Sequence, residues 1–306
     1  MYQHLYILRI FLTIKLFNII SSNFSSERGS DQLFRKTVKI FLLCICLVSY
    51  GLFIEPNVLL TKHYTFPHKL NHDLTIKIVQ ISDTHLSHKK DIDQLRKIVT
   101  KVNKMKPDFI VFTGDLISDI RKFSYQTEVL SLLKEMKATR GKLAVYGNHD
   151  HGGYFTEQYE ALLKSSEFIL LKNEEKSFYV QNEKISFIGL DDYMLGDKKY
   201  TKILNSIQKD SFTIVLAHEP DIATITRNFP INLQLSGHSH GGQLYIPFFQ
   251  SFLMPPYAKK YNRGVYHLSE QFERYLVVSN GLGTTKLPFR FLTPPEIVSI
   301  EIKRAN

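Results

Sequence analysis

The chain has 306 residues, of which 43% are apolar and 22% charged, with 15 Gly, 22 Phe and 16 Tyr. That composition excludes a disordered, collagen-like or disulfide-stapled protein and leaves room for one large domain with a buried core. The formal charge of +10 is spread along the chain; it favours an anionic neighbourhood and offers no dense Arg cluster to position a nucleic-acid duplex, so no specific nucleic-acid partner is expected.

Residues 5–20 are apolar but interrupted by Arg9 and Lys15, which suits an interfacial amphipathic helix better than a span. Residues 40–54 are uncharged, and Val38 with a snorkelling Lys39 extends them to near the lower length limit of a spanning helix. Arg28, Arg35, Lys36 and Lys39 precede the stretch and Glu55-Pro56 follows it, a bias that places the N-terminus in the cytoplasm and the rest of the chain outside. No small-x-small cleavage site follows, so the segment reads as a retained signal-anchor. The expected organisation is a cytoplasmic segment at 1–37, a transmembrane helix at 38–55, a linker at 56–73 and a folded domain at 74–306. Cys44 and Cys46 sit in the apolar run and cannot staple the domain. His63, His68 and His72 fall in the linker, where they are expected to be solvated.

Residues 75–81 read as a buried strand that runs into Ser82-Asp83-Thr84-His85. Asp91 is placed to cap a helix carrying Ile92, Leu95, Ile98, Val99 and Val102 on one face, with Gln94 at the capping-box position and Pro107 closing it. A strand at 109–112 empties into Thr113-Gly114-Asp115, a helix follows around 125–136, and a strand at 143–146 ends in Gly147-Asn148-His149-Asp150. A hairpin near 177–190 turns at Asn182-Glu183. Strands at 212–216 and 231–235 then deliver Ala217-His218-Glu219-Pro220 and Ser236-Gly237-His238-Ser239-His240. Further strands are expected at 265–268, 275–278 and 297–302. An α/β half followed by a β-rich half predicts an α+β domain, a four-layer α/β-β/α sandwich of two packed mixed sheets flanked by helices.

Five strand ends thus supply Asp, Asn or His beside Gly, residue types that core packing does not ask for. Two closely spaced divalent ions need a bridging oxygen donor and a mixture of carboxylate, amide and imidazole ligands. Asp83 with His85, and His238 with His240, alternate across one residue, so an irregular strand end can turn both toward one ion. Gly237, Gly241 and Gly242 permit the tight backbone such loops require. Other candidates have ordinary readings: His88 and His151 as surface histidines, Asp191 and Asp192 as a hairpin exit, and Tyr257, Tyr261 and Tyr266 as core aromatics or a substrate groove. Arg290 is a possible phosphate contact.

The blocks Asp83-Thr84-His85, Gly114-Asp115, Gly147-Asn148-His149-Asp150, Ala217-His218-Glu219 and Gly237-His238-Ser239-His240 resemble, in order, those of the calcineurin-like metallophosphoesterases. The resemblance spans residues 57–302 and is closest to the bacterial, signal- or membrane-anchored YkuE/YaeI-like branch, with its runs Gly281-Leu282-Gly283 and Pro294-Pro295-Glu296. It implies a phosphohydrolase with Asp83, His85 and His240 on one metal, Asn148, His218 and His238 on the other, Asp115 bridging, and His149 facing the substrate. It further implies that a metal-bridging hydroxide attacks a phosphodiester or pyrophosphate and that His149 protonates the leaving oxygen. Two divalent ions, Mn, Zn or Fe, are expected, with a phosphorylated small-molecule or lipid substrate. A UDP-2,3-diacylglucosamine pyrophosphohydrolase-like lipid enzyme and a non-catalytic metal-binding membrane protein are the alternatives. Many relatives carry an acidic partner for that histidine three residues after the bridging aspartate; here the position is Ser118, followed by Asp119.

Overall fold

The structure, a computed structural model, describes residues 29–68, 74–151, 156–246, 254–269 and 274–304. The run at 5–20 and His72 lie outside the described residues. Helix α1, Gly29–Ser49, continues through a π-helical turn at Tyr50–Ile54 and a 3-10 turn at Glu55–Asn57. Leu33, Phe34, Ile40, Phe41, Val48 and Phe53 are exposed along it, and Gln32–Asn57 is long and apolar enough to cross a membrane by length and composition. This helix begins earlier than the expected 38–55.

The expected linker at 56–73 is corrected by the fold. Residues Leu60–His68 form strand β1, paired in parallel with the last strand of the chain from Leu60↔Glu296 to His68↔Arg304. Its sequence, LTKHYTFPH, has no continuous apolar face and contains Pro67, which a sheet tolerates at an edge. The pairing partner lies at the far end of the sequence, so no local pattern announces it. His68 is accordingly buried, with its Nε2 3.0 Å from the Leu74 carbonyl oxygen.

The remaining elements follow in order. They are β2 (Thr75–Ile81), α2 (Lys89–Met105), β3 (Phe109–Phe112), α3 (Gln126–Glu135), β4 (Gly141–Ala144) and the single turn α4 (Asn148–His151), then α5 (Thr156–Ser165) and β5 (Phe168–Leu170). The second half comprises β6 (Glu174–Val180), β7 (Glu183–Gly189), α6 (Thr201–Asn205), β8 (Phe212–Leu216), β9 (Leu233–Ser236), β10 (Gly264–Ser269), β11 (Arg274–Val278) and β12 (Glu296–Arg304). One six-stranded sheet has the order β1-β12-β2-β3-β4-β5 and the other β10-β11-β9-β8-β7-β6. Both are mixed, with parallel cores β2-β3-β4-β5 and β7-β8-β9-β11.

The two-residue period of the strands assigns each side chain its layer. In β2, Ile76 and Ile78 join Phe109, Val111, Ile214, Leu216, Leu233 and Leu235 between the sheets. Val79 and Ile81 face the other way, onto Leu95, Ile98, Val99, Val102, Leu132, Leu133 and Tyr159 of the helical layer. The second sheet is covered outside by Tyr200, Leu204, Ile222 and Ile231, so its outer layer is a short helix and 3-10 turns, thinner than the sandwich expected from sequence. At the end of the inner layer Gln80 Nε2 donates to the Ser236 carbonyl at 2.9 Å and to Thr113 Oγ1 at 3.0 Å, tying the sheets together directly beneath the loops that follow them.

Helix α2 starts three residues earlier than its sequence suggested. Asp91 lies inside the first turn, where its carboxylate accepts the main-chain N–H of Ser87 (2.9 Å) and His88 (2.7 Å). Gln94 instead donates to the Leu282 carbonyl at 2.9 Å. The β6–β7 turn falls at Gln181 and Asn182, both with positive φ, as a two-residue hairpin loop prefers. Gly189, at the end of β7, packs where a Cβ would stand 2.2 Å from Leu171 Cβ and 3.0 Å from the Leu171 carbonyl oxygen. Gly189→Ala is expected to cost about 1–3 kcal/mol through overpacking, read as a lower urea midpoint.

Candidate metal centre

The loops leaving β2, β3, β4, β8 and β9 converge at one end of the two sheets. They are laced by main-chain bonds from Asp83 N–H to the Gly114 carbonyl (2.9 Å), His85 N–H to the Asp115 carbonyl (3.1 Å) and Gly237 N–H to the His218 carbonyl (3.0 Å). Asp83, His85, Asp115, His238 and His240 all have φ between 44° and 65°. For residues other than Gly this left-handed conformation costs roughly 1–2 kcal/mol each, and such strain collects where function over-determines geometry. Close approach explains two glycines. A Cβ on Gly147 would lie 2.3 Å from Asp115 Oδ1, and one on Gly237 would lie 2.2 Å from Asp83 Oδ2.

Six side chains meet here, each at most 6% exposed. Asp115 Oδ2 is 3.3 Å from both His85 Nε2 and His218 Nε2. His85 Nε2 is 3.0 Å from His240 Nε2, His218 Nε2 is 3.1 Å from His238 Nδ1, and His240 Nε2 is 3.6 Å from Asp83 Oδ1. Three donor groups close enough to share an ion result: Asp83, His85 and His240; His85, Asp115 and His149; and Asp115, His218 and His238.

Surrounding main chain selects which ring atom faces inward. His218 Nδ1 gives its hydrogen to the Thr113 carbonyl at 2.7 Å, and His238 Nε2 gives its hydrogen to the Pro256 carbonyl at 2.9 Å. A cation at the centre would find the lone pairs of His218 Nε2 and His238 Nδ1 turned toward it. Asn148 Oδ1, also buried, accepts no hydrogen bond among the described residues. Facing lone pairs and an unpartnered amide oxygen fit divalent cations, and oxygen and nitrogen donors without thiolate suit Mn, Fe or Zn.

Burial holds the imidazoles of His85 and His238 down to about 3 and that of His240 well below its ordinary value, so all three are neutral. Burial opposes charge on His218 too, but the Asp115 carboxylate outweighs it and raises that histidine. Asp115 is held well below the usual carboxylate range by His218 and His85, against the pull of burial. Burial first, and then the Asp115 charge, raise Asp83 to about 6. Without metal the centre is thus an imidazolium–carboxylate pair among neutral rings.

His149 is positioned by a group the sequence did not indicate. Its Nδ1 lies 3.0 Å from the main-chain carbonyl of Ser118, its N–H donates to Asp115 Oδ1 at 2.8 Å, and its ring meets His85 edge-on at 4.7 Å. Asp119 is engaged elsewhere, accepting from Arg121 Nε at 2.7 Å and Nη2 at 2.8 Å. A backbone carbonyl therefore holds this ring, where the resemblance implied an acidic side chain. Asp150, part of the same block but given no role from sequence, accepts the N–H groups of Asp115 (2.7 Å), Gly147 (2.9 Å) and Leu116 (3.2 Å), and so braces two of the converging loops.

Other expectations are corrected. His151 is not a free surface residue: its Nε2 lies 2.6 Å from Asp191 Oδ1, and Asp191 is buried. Arg290 is fully buried and directs its N–H groups to main-chain carbonyls, so it is no phosphate contact. Tyr261 and Tyr266 pack together with ring centres 5.0 Å apart, whereas Tyr257 is half-exposed against Tyr193 at 4.8 Å.

The sequence is similar to those of known proteins. Residues 76–242, which carry every ligand candidate, match the calcineurin-like phosphoesterase family. The chain belongs to that family. It is 40% identical over 84% of its length to the metallophosphoesterase YkuE of Bacillus subtilis, covering 90% of that protein. It is 30% identical to a transmembrane protein with a metallophosphoesterase domain from Danio rerio, over 95% of this chain and 68% of that one. It is 28% identical to the UDP-2,3-diacylglucosamine pyrophosphatase LpxG of Chlamydia trachomatis, over 80% and 89% of the two chains. This calcineurin-like phosphoesterase is a metal-dependent phosphohydrolase whose described residues include His/Asp clusters suited to metal.

Two consequences are measurable. Asp150→Ala strands three buried N–H groups behind the ligand loops and is expected to weaken Mn²⁺ binding by about 10–100-fold, read by equilibrium dialysis. Asp191 is held below the usual carboxylate range, against its burial, by His151 and the Asp197 N–H. A depressed carboxylate contributes stability that is present above about pH 4 and lost as pH falls through its folded value. Asp191→Asn is therefore expected to lower stability at neutral pH and to flatten its decline below about pH 4, checked by denaturant melts across pH.

Proposed function

We propose that this phosphoesterase hydrolyses phosphodiester or pyrophosphate bonds at a two-ion centre. In this reading Asp83, His85 and His240 hold one ion, Asn148, His218 and His238 hold the other, and Asp115 is shared. The supporting observation is the placement of Asp115 Oδ2, equidistant at 3.3 Å from an imidazole nitrogen of each set. Divalent ions bound there, Mn, Zn or Fe, supply Lewis acidity toward the phosphoryl oxygens and lower the pKa of water.

The chain's own groups do the rest. Asp115 is ionised by its imidazole neighbours and offers charge to both sets of ligands. His149 is the most exposed of the donors beside this carboxylate. With Nδ1–H given to the Ser118 carbonyl, Nε2 is the ring atom left to face the departing oxygen as general acid.

A lipid-borne pyrophosphate is the second reading, which an inward-facing domain would favour. The long apolar helix ends against the domain, with Tyr50, Gly51 and Glu55 buried, which supports a single-pass protein whose domain sits at a membrane surface. The bias of Arg35, Lys36 and Lys39 toward its N-terminal side supports an extracytoplasmic domain. The pyrophosphatase relative acts, by its name, on a UDP-linked diacylglucosamine.

The test is hydrolysis of a chromogenic phosphodiester and its monoester by full-length protein in detergent with Mn²⁺. Diester cleavage that a chelator abolishes is expected, with turnover reduced about 10²–10⁴-fold in His149→Ala and nearly lost in Asp115→Asn. Faster cleavage of the monoester would overturn the diester assignment, and an undiminished His149→Ala rate would remove that residue from the chemistry.

A further inference from the structure

Arg290 lies buried behind the centre, its Nη2 3.5 Å from His240 Nδ1. Its hydrogen bonds run to main-chain carbonyls: Nη1 to Thr293 at 2.7 Å, Nη2 to Asn280 at 2.9 Å and to Gly283 at 2.5 Å, and Nε to Gly283 at 3.1 Å. A planar guanidinium fits this task because it fixes several acceptors in one geometry, which a lysine ammonium does not.

The turn at residues 280–283, held in this way, lies directly on the Asp83 loop. Leu282 N–H donates to the Ser82 carbonyl at 3.0 Å and Gly283 N–H to the Asp83 carbonyl at 2.7 Å. The contact is close enough that a Cβ on Gly281 would stand 2.7 Å from Asp83 Cβ. A second arm reaches His240. Thr293 Oγ1 and Phe291 N–H both donate to the Gln243 carbonyl, at 2.5 and 2.7 Å, and Gln243 N–H donates to the His240 carbonyl at 3.0 Å.

The segment carrying Arg290 is in turn gripped by the end of the apolar helix. Arg290 N–H donates to the Gly51 carbonyl at 3.0 Å, and the Glu55 carboxylate accepts Leu292 N–H at 3.0 Å and Thr293 N–H at 2.5 Å. Phe289 packs on Gly51 so closely that a Cβ there would lie 2.3 Å from its ring, and Tyr50 meets Phe291 edge-on at 6.3 Å.

We propose that the helix end at residues 51–55 and Arg290 form one positioning element for the Asp83–His85–His240 ligand set, making the apolar helix part of the metal centre's frame and not merely a tether. The idea rests on the two-ion reading. Both arms end on residues of that set. The onward contact to the other set is the His238 N–H on the Asp83 carboxylate, at 3.0 and 3.1 Å, a main-chain bond that does not engage the His238 ring nitrogens, so loosening the element weakens the ion held by Asp83, His85 and His240 first.

The test is Mn²⁺ titration of full-length protein in detergent, with free Mn²⁺ followed by electron paramagnetic resonance. Wild type is expected to bind two ions. Glu55→Ala and Arg290→Lys should each weaken one of them at least about 10-fold and leave the other unchanged, with Glu55→Gln intermediate. Leu287→Ala, exposed on the same segment, should match wild type. Unchanged affinities in the Glu55 and Arg290 variants overturn the proposal, as does a parallel loss of both ions with a lowered melting temperature, which marks general loosening. If the harsher variants do not fold, Glu55→Gln decides by the same criterion. A wild type that binds no Mn²⁺ sinks the two-ion reading itself and the proposal with it, an outcome distinct from normal binding by unaffected variants.

Discussion

Imidazole nitrogens and a carboxylate oxygen face one another here at 3.0 to 3.3 Å, away from bulk water. Two of these rings, His218 and His238, have their other nitrogen committed to a carbonyl, and the crowding of ring nitrogens and carboxylate is an arrangement that a hydrophobic core would never select and that a cation between them satisfies. Almost everything nearby serves to keep these atoms from relaxing apart. The unfavourable φ angles of five loop residues, the glycines pressed against carboxylates and the strut formed by Asp150 are different means of holding the same geometry.

Rigidity at the loops is inherited from the sheets. The parallel cores bring the C-terminal ends of neighbouring strands to one edge, and the inner layer of Ile, Val, Leu and Phe fixes the two sheets face to face. Gln80 bonds across that layer where apolar packing gives way to polar loops. A buried amide in that place orients the sheets as an apolar side chain would not, because its two donors admit one arrangement of partners.

Much of this was legible in the sequence, for a local reason. Asp83, His85, Asp115, Asn148, His218, His238 and His240 each follow an apolar run within a few residues, so polarity beside periodicity marked them. What was not legible depends on partners distant in sequence. Strand β1 exists because of β12, the role of Arg290 because of Gly51, Asn280 and Gly283, and the orientation of His149 because of a main-chain carbonyl that any residue at 118 would possess. The boundaries of α2 and β4 shifted by two or three residues, since caps and short strands are settled by tertiary contacts.

The position of β12 between β1 and β2 bears on how the chain reaches this state. Two strands that emerge early in synthesis are separated in the sheet by one that emerges near the last of the described residues. Neither can pair with β12 while the ribosome is still reading the intervening sequence, although β2 can already pair with β3, and pairings of such long separation form slowly. The apolar helix enters its environment first, whereas the strand that follows it waits, its edge unsatisfied, until residues 296–304 arrive. A chain stalled or clipped before that point would therefore carry an apolar helix, an orphaned β1 and a first sheet cut back to β2-β3-β4-β5, a form for quality control to remove.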